Sequence, residues 1–350
     1  MKDKIGIAIV GCGMISEFQA RAIQALPDAR LTGFYNRTPA PARRRSEQFG
    51  APVFESLEDL LVAQDVDAVS ICTPSGAHLE PALAAFRARK HVMIEKPLEV
   101  TLERVDELLR AADAAGVVIG AIFPRRFQDA SRALKLAIDH GRFGRIVLAD
   151  AHIKWFRSQE YYDGGGWRGT WKLDGGGALM NQGIHGIDLL QWLLGGVEQV
   201  SAFTATLAHE RIEVEDTAAV AVRFRNGALG TIEGTTGSWP GTKIRLEVHG
   251  SLGSVVLEDE VITHWRFDPE LPGDADVRLR LGPREGLSAG GSTDPKAISF
   301  EGHRRQFDDF VRAIRTGTRP ACSGADARAA VALITAIYRS AREGRPARVD

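Results

Sequence analysis

The chain is 350 residues long, enough for two domains, and its 44% hydrophobic and 25% charged residues are the proportions of an ordinary soluble protein. Its 44 Lys+Arg against 45 Asp+Glu leave a net charge of -1, which argues against nucleic acid or an anionic membrane surface as a partner. No apolar run reaches the ~18–20 residues of a membrane span, and Met1–Val10 passes into a glycine loop before a secretory core could form.

Alternation of β-branched runs with helical periodicity organises the first third. Strands are predicted at Lys4–Val10, Leu31–Asn36, Val53–Phe54, Ala68–Thr73, His91–Glu95 and Val117–Ile122. Between them, helices are predicted at Ile15–Leu26, Pro39–Phe49, Leu57–Ala63 (with Ser56 as its N-cap), His78–Ala88 and Leu102–Ala115. Short connections between strictly alternating elements imply a parallel, doubly wound sheet that binds its ligand beyond the carboxyl ends of its strands.

After Phe123 the rhythm changes. A helix at Asp129–His140 and a long strand at Arg145–Phe156 precede a glycine-rich stretch, Asp163–Gly177, and a helix at Ala178–Leu194. Alternating strands follow at Val200–Ala208, Thr217–Phe224, Ala228–Gly234, Ile244–His249 and Ser254–Glu258, the pattern of an antiparallel sheet with one buried face. Asp268–Pro295 reads as a surface loop, and helices at His303–Arg315 and Ala325–Arg342 close the chain, the second capped by Ser323 with Asp326. The expected fold is α/β: an N-terminal Rossmann domain over 1–122 and a C-terminal α+β domain over 123–350 with a large, mostly antiparallel open sheet.

Gly11-Cys12-Gly13-Met14-Ile15-Ser16 follows the first strand and opens the first helix. Gly11 permits the tight turn, Gly13 lets the backbone approach a pyrophosphate, and the helix N-terminus offers free N–H groups through Met14 and Ile15. Ser16 replaces the usual third glycine. At the end of the second strand, where NAD binders carry an acid, stands Asn36-Arg37-Thr38. Arg37 suits a 2′-phosphate, which leans slightly towards NADP and leaves NAD open. Thr73, Pro74, His78, Glu95 and Lys96 complete the candidate cofactor-binding set, all near strand carboxyl ends. No metal-ligand spacing is present. Cys12, Cys72 and Cys322 are too few and too far apart for a disulfide framework, which suggests a reducing, cytoplasmic setting.

Glu95-Lys96-Pro97 ends the fifth predicted strand. A lysine there is suited to polarise a substrate oxygen, although position alone leaves a surface lysine equally open. Asn181, His185 and Asp188 recur at i, i+4 and i+7, on one face of a regular helix. His185 has the proton affinity of a general base near neutrality, with Asp188 to orient it and Asn181 to position substrate. Arg125, Arg126, Arg168 and Lys172 are candidates to receive an acidic substrate.

These motifs together resemble the Gfo/Idh/MocA family of NAD(P)-dependent oxidoreductases over nearly the whole chain. The resemblance rests on the Gly11 loop, Glu95-Lys96-Pro97, the His185 helix and the two closing helices. It implies redox chemistry at a secondary hydroxyl of a sugar, cyclitol or sugar derivative, with Lys96 and His185 as the catalytic pair. It also implies a homodimer or homotetramer built through the C-terminal sheet. Asn181 stands where many members carry aspartate, and Trp167–Trp171 with Asp174 is similar to members acting on nucleotide-linked N-acetyl sugar acids. Two other readings stay open: oxidation that only enables elimination of a glycosidic substituent, and a non-catalytic NAD(P)-binding sensor.

Overall fold

The computed structural model describes residues 3–283 and 299–350, which form two compact units. One runs to Pro124 and takes in Ser299–Arg328; the other starts at Arg125 and takes in Ala329–Asp350.

The first unit contains β1 (Ile5–Val10), α1 (Ile15–Gln24), β2 (Ala29–Tyr35), α2 (Pro39–Phe49), α3 (Leu57–Val62), β3 (Ala68–Ile71), α4 (Leu79–Arg87), β4 (His91–Ile94), α5 (Leu102–Ala115) and β5 (Ile119–Ala121). The strands pair in parallel in the order β2-β1-β3-β4-β5. Every residue of β1 and β3 is buried, as a sheet covered on both faces requires. Strand order reverses between β1 and β3, so their carboxyl ends form the switch point. The strand expected at Val53–Phe54 is only a bridge from Val53 to Phe34. Pro52 accepts from Phe34 N–H but has no N–H with which to extend the ladder.

The first unit ends at Pro124 and also takes in Ser299–Arg328, which the expected single boundary at 122 leaves in the second domain. The helix Glu301–Thr316 places Phe307, Phe310 and Val311 in one core with Ile7, Ile9 and Ile23. Its Gln306 accepts from Phe123 N–H at 3.0 Å and donates to the Ala121 carbonyl. The packing therefore assigns this helix to the first unit.

The second unit contains α6 (Asp129–Asp139), β6 (Ile146–Lys154), α7 (Gln159–Asp163), a π-helical turn (Ala178–Gly183) that runs into α8 (Ile184–Leu194), then β7 (Val197–Ala205), β8 (Thr217–Phe224), β9 (Leu229–Thr235), β10 (Arg245–Gly250), β11 (Gly253–Glu258), β12 (Val261–Phe267), α9 (Pro272–Leu281) and β13 (Ala347–Arg348). Eight strands form one sheet, β12-β11-β10-β6-β9-β8-β7-β13, antiparallel except for the β6–β9 pair. In β8 the residues Ala218, Val220, Val222 and Phe224 are buried while their neighbours face outward, so only one face is covered.

The surface loop expected at Asp268–Pro295 is corrected in part. Pro272–Leu281 is helical, tied down by Asp274, which accepts from Leu271 N–H and the Trp265 indole and pairs with Arg142 at 2.8 Å. Residues 284–295 of that stretch lie outside the described residues. Among the described residues no helix is long and apolar enough to cross a membrane.

The closing helix Gly324–Glu343 carries the expected cap. Ser323 Oγ donates to Asp326 at 2.6 Å and accepts from Asp326 N–H at 3.4 Å. Ser323→Ala should cost about 1 kcal/mol of stability; an unchanged urea midpoint would show that the cap contributes nothing.

Candidate active site

The Gly11 loop is shaped as the sequence suggests. Gly11 has φ +94°, and a Cβ there would lie 2.7 Å from Cys72 C and Thr73 N, where β1 and β3 approach at the switch point. A Cβ on Gly13 would meet nothing within 4 Å, so this side of the loop is open at the start of α1. Ser16 Oγ donates back to the Gly13 carbonyl at 2.6 Å. The same carbonyl accepts from Arg45 on α2 at 3.1 Å, a clamp that the sequence pattern does not signal. Met14 is exposed beside Gly13, and Ile15 packs partly into the core. Burial pushes the Cys12 thiol up to about 12, with Arg45 pulling it down, so it stays protonated at neutral pH.

The Asn36 carboxamide has an interior task. Its Oδ1 accepts from Cys12 N–H at 3.0 Å and its Nδ2 donates to the Thr38 carbonyl, tying the loop to the end of β2. Arg37 and Thr38 are exposed. Thr73 Oγ1 donates to the Ala77 carbonyl, and Pro74 lies between them in the same turn.

From Val92 to Glu99 every residue is buried except Lys96. Glu95, expected at the cofactor, is turned inward. It accepts from Gln19 Nε2 at 2.6 Å and from the Lys96 N–H at 3.1 Å, and Gln19 in turn accepts from Ser70 and Cys72. Burial raises the Glu95 carboxyl above the usual range, opposed by Lys96. His78 is likewise not a surface ligand. Its Nδ1 faces the Pro97 carbonyl at 3.0 Å and its Nε2 the Thr73 carbonyl at 3.0 Å, so it links the segments after β3 and β4. Burial lowers its pKa, with Glu99 acting in the opposite sense. The side chains of Glu95 and His78 are thus corrected from cofactor contacts to supports of the chain around Lys96.

The second unit repeats the arrangement. From Asp174 to Gln191 every residue is buried except His185, which is half-buried. Asn181 is in the π-helical turn, not in a regular helix with His185, so the i, i+4, i+7 face of an α-helix does not apply. Asn181 Nδ2 donates to Asp174, and Asn181 Oδ1 accepts from Gln182 at 3.3 Å. Asp188, expected to orient His185, has both oxygens on Arg126, at 2.8 and 2.6 Å. That pair is buried, and the guanidinium also lies 5.7 Å from the Trp192 ring centre. Arg126 is therefore corrected from substrate ligand to anchor of α8. Arg125 pairs with Asp259 at 3.0 Å.

Arg168 lies over Tyr161, 4.3 Å from the ring centre, and near Trp167; Lys172 on the same segment is exposed. Arg157, not anticipated from sequence, donates to Gln182 at 3.0 Å and lies over Trp155 and the same Tyr161 ring. Glu215 was also missed. It accepts from Gly177 N–H at 2.9 Å, Leu179 N–H at 2.8 Å and Tyr338 Oη at 2.9 Å. Burial pushes its carboxyl up to about 7, with those donors pulling the other way.

Residues 5–123 match the oxidoreductase family model with the NAD-binding Rossmann fold, and residues 131–256 match the GFO/IDH/MocA C-terminal domain. The chain is 27% identical to the myo-inositol 2-dehydrogenase of Thermotoga maritima, over 98% of each chain. It is 30% identical to the 1,5-anhydro-D-fructose reductase of Ensifer adhaerens over 84% of this chain and 83% of that one. Among solved structures it is similar to the WlbA dehydrogenase from Bordetella pertussis in complex with NADH and UDP-GlcNAcA. That likeness has a TM-score of 0.90 at 35% identity and covers 100% of this chain and 99% of the other.

The anchor of α8 can be tested without any ligand. Arg126→Ala removes both guanidinium bonds to the buried Asp188 and should cost about 3–5 kcal/mol. The double variant Arg126→Met with Asp188→Leu should recover part of that loss in urea unfolding, and equal stability of all three proteins would refute the assignment.

Proposed function

This chain belongs to the Gfo/Idh/MocA family of oxidoreductases, and from that membership we propose that it is an NAD-dependent dehydrogenase of secondary ring hydroxyls in nucleotide-linked sugar acids. The coarser statement, a nicotinamide-dependent oxidoreductase acting at a CH–OH carbon of a sugar, cyclitol or related compound, follows from the family and its relatives. The observation that carries the dehydrogenase chemistry is the pair of segments that each leave one chemically apt side chain half-exposed in an otherwise buried run: Lys96 and His185.

The Gly11 loop fits a dinucleotide: the space beside Gly13 is open, and a helix N-terminus there offers N–H groups to a pyrophosphate. Bound NAD supplies the hydride acceptor. We read NAD in place of the NADP towards which Arg37 leans. The Asn36 carboxamide is committed to Cys12 and Thr38, and the 35%-identical WlbA structure holds NADH. The Lys96 ammonium donates to the substrate oxygen and steadies negative charge on it. His185 accepts the hydroxyl proton, Asn181 helps to position the substrate, and Asp188 seats α8 through Arg126. For an acid group on the substrate, Arg168 stacked on Tyr161 and the exposed Lys172 are the cations we assign. The same WlbA likeness supports a UDP-linked uronic acid as the substrate class.

Self-association through the second unit's sheet is part of this reading. Phe203, Leu229 and Leu148 are exposed on its uncovered face.

Lys96→Ala and His185→Ala should each lower kcat by about 100- to 10,000-fold while leaving NADH affinity nearly unchanged. Near-normal turnover in either variant would sink the pair. In an absorbance assay at 340 nm, a UDP-linked uronic acid with NAD should outperform both free inositols and the same sugar with NADP. Preference for a neutral cyclitol would overturn the substrate class, and preference for NADP the cofactor.

A further inference from the structure

Four consecutive residues, Glu213-Val214-Glu215-Asp216, lead into β8 and reach three of the segments just described. Glu213 donates its N–H to the Gly169 carbonyl at 2.7 Å and accepts from Trp171 N–H at 2.9 Å, bracketing the Arg168 segment. Glu215 takes three successive N–H groups at the start of the π-helical turn. Its side chain accepts from Gly177 and Leu179, and its main-chain carbonyl accepts from Ala178 at 3.0 Å. Asp216 accepts from the N–H groups of Leu207, Ala208 and His209, and from His209 Nδ1 at 3.0 Å. The far ring nitrogen of His209 meets the Arg157 carbonyl at 2.8 Å.

The glycines before the turn fit the same purpose. A Cβ on Gly177 would sit 1.9 Å from the Glu215 carbonyl oxygen, and one on Gly176 would sit 2.1 Å from Tyr338 Oη. The triple glycine that precedes the His185 helix therefore admits Glu215 and Tyr338 to the backbone. The first N–H groups of a helix have no partner within it, and here one residue supplies three of the acceptors.

We propose that Glu213–Asp216 is a positioning strap for the dehydrogenase reaction, and that Glu215 is its central residue, setting the turn from which His185 projects. Glu215 acts through His185 and touches neither substrate nor cofactor. The inference rests on the functional reading above for its catalytic consequence, and on the hydrogen bonds alone for its structural one.

Glu215→Gln is nearly isosteric. Its Oε1 still accepts from Leu179 and Tyr338, but its amide group then faces the Gly177 N–H, two donors in contact. Tyr338→Phe removes the hydroxyl that donates to Glu215 and meets the Met180 backbone, and keeps the carboxylate. In the full chain, Glu215→Gln should lower kcat by about 10- to 100-fold, the loss expected from a displaced catalytic group. NADH affinity, measured by fluorescence titration, should stay within about two-fold of the parent. Amide exchange over 176–182 should accelerate in both variants, with a smaller kcat loss in Tyr338→Phe. A folded Glu215→Gln protein with parental kcat overturns the proposal. So does a kcat loss matched by equal loss of NADH affinity, since that marks general destabilisation. If Glu215→Gln fails to fold, Tyr338→Phe decides: parental kcat with unchanged exchange overturns the strap. If the parent itself turns over no sugar, the functional reading has failed, and exchange over 176–182 decides the strap by itself.

Discussion

A carboxylate taken out of water costs several kcal/mol unless donors surround it, and this chain buries Glu95, Asp174, Asp188, Glu215 and Asp216. Each is met by donors. Glu95 takes Gln19 and the Lys96 N–H, Asp174 takes Gly169 N–H and Asn181, and Asp188 takes Arg126. Glu215 and Asp216 between them accept five backbone N–H groups from other segments. The same bonds that make burial tolerable also hold irregular backbone in one geometry. Where the chain leaves β4 towards Lys96, and where a π-helical turn precedes His185, no regular ladder is available to do so.

The two candidate catalytic side chains share a consequence of this. Lys96 and His185 are each the one accessible residue of a long buried run, so neither segment can shift without disturbing a packed core and a satisfied polar network. Such support is what an acid–base pair needs, because its contribution depends on reach of a few tenths of an ångström. The π-helical turn has its own effect. Its i→i+5 geometry changes the rotation between Asn181 and His185 relative to an α-helix.

Several local features were legible from residue order. Ser56 accepts from Asp59 N–H, and Ser323 and Asp326 form their capping pair. Helices α2 and α5 and strand β8 begin and end where their patterns do. The failures share one cause. Residue type and spacing point Asp188, Arg126, Glu95 and His78 outward, and each is engaged by partners inside its own unit. The helix Glu301–Thr316 follows the second domain in sequence, yet Phe307 and Phe310 complete the core of the first.

Periodicity, caps and glycine placement act over a few residues, and they were enough to determine a dinucleotide-type βα unit, an open sheet behind it, and Lys96 and His185 as candidates. The partners of buried polar groups act across much longer separations. Arg126 and Asp188 are 62 residues apart, Glu215 and Gly177 are 38 apart, and Tyr338 and Glu215 are 123 apart. Local spacing carries no record of which donor will reach a given carboxylate. Whether an acid anchors a helix, caps a turn or faces a ligand was therefore decided only when tertiary packing brought the donors to it.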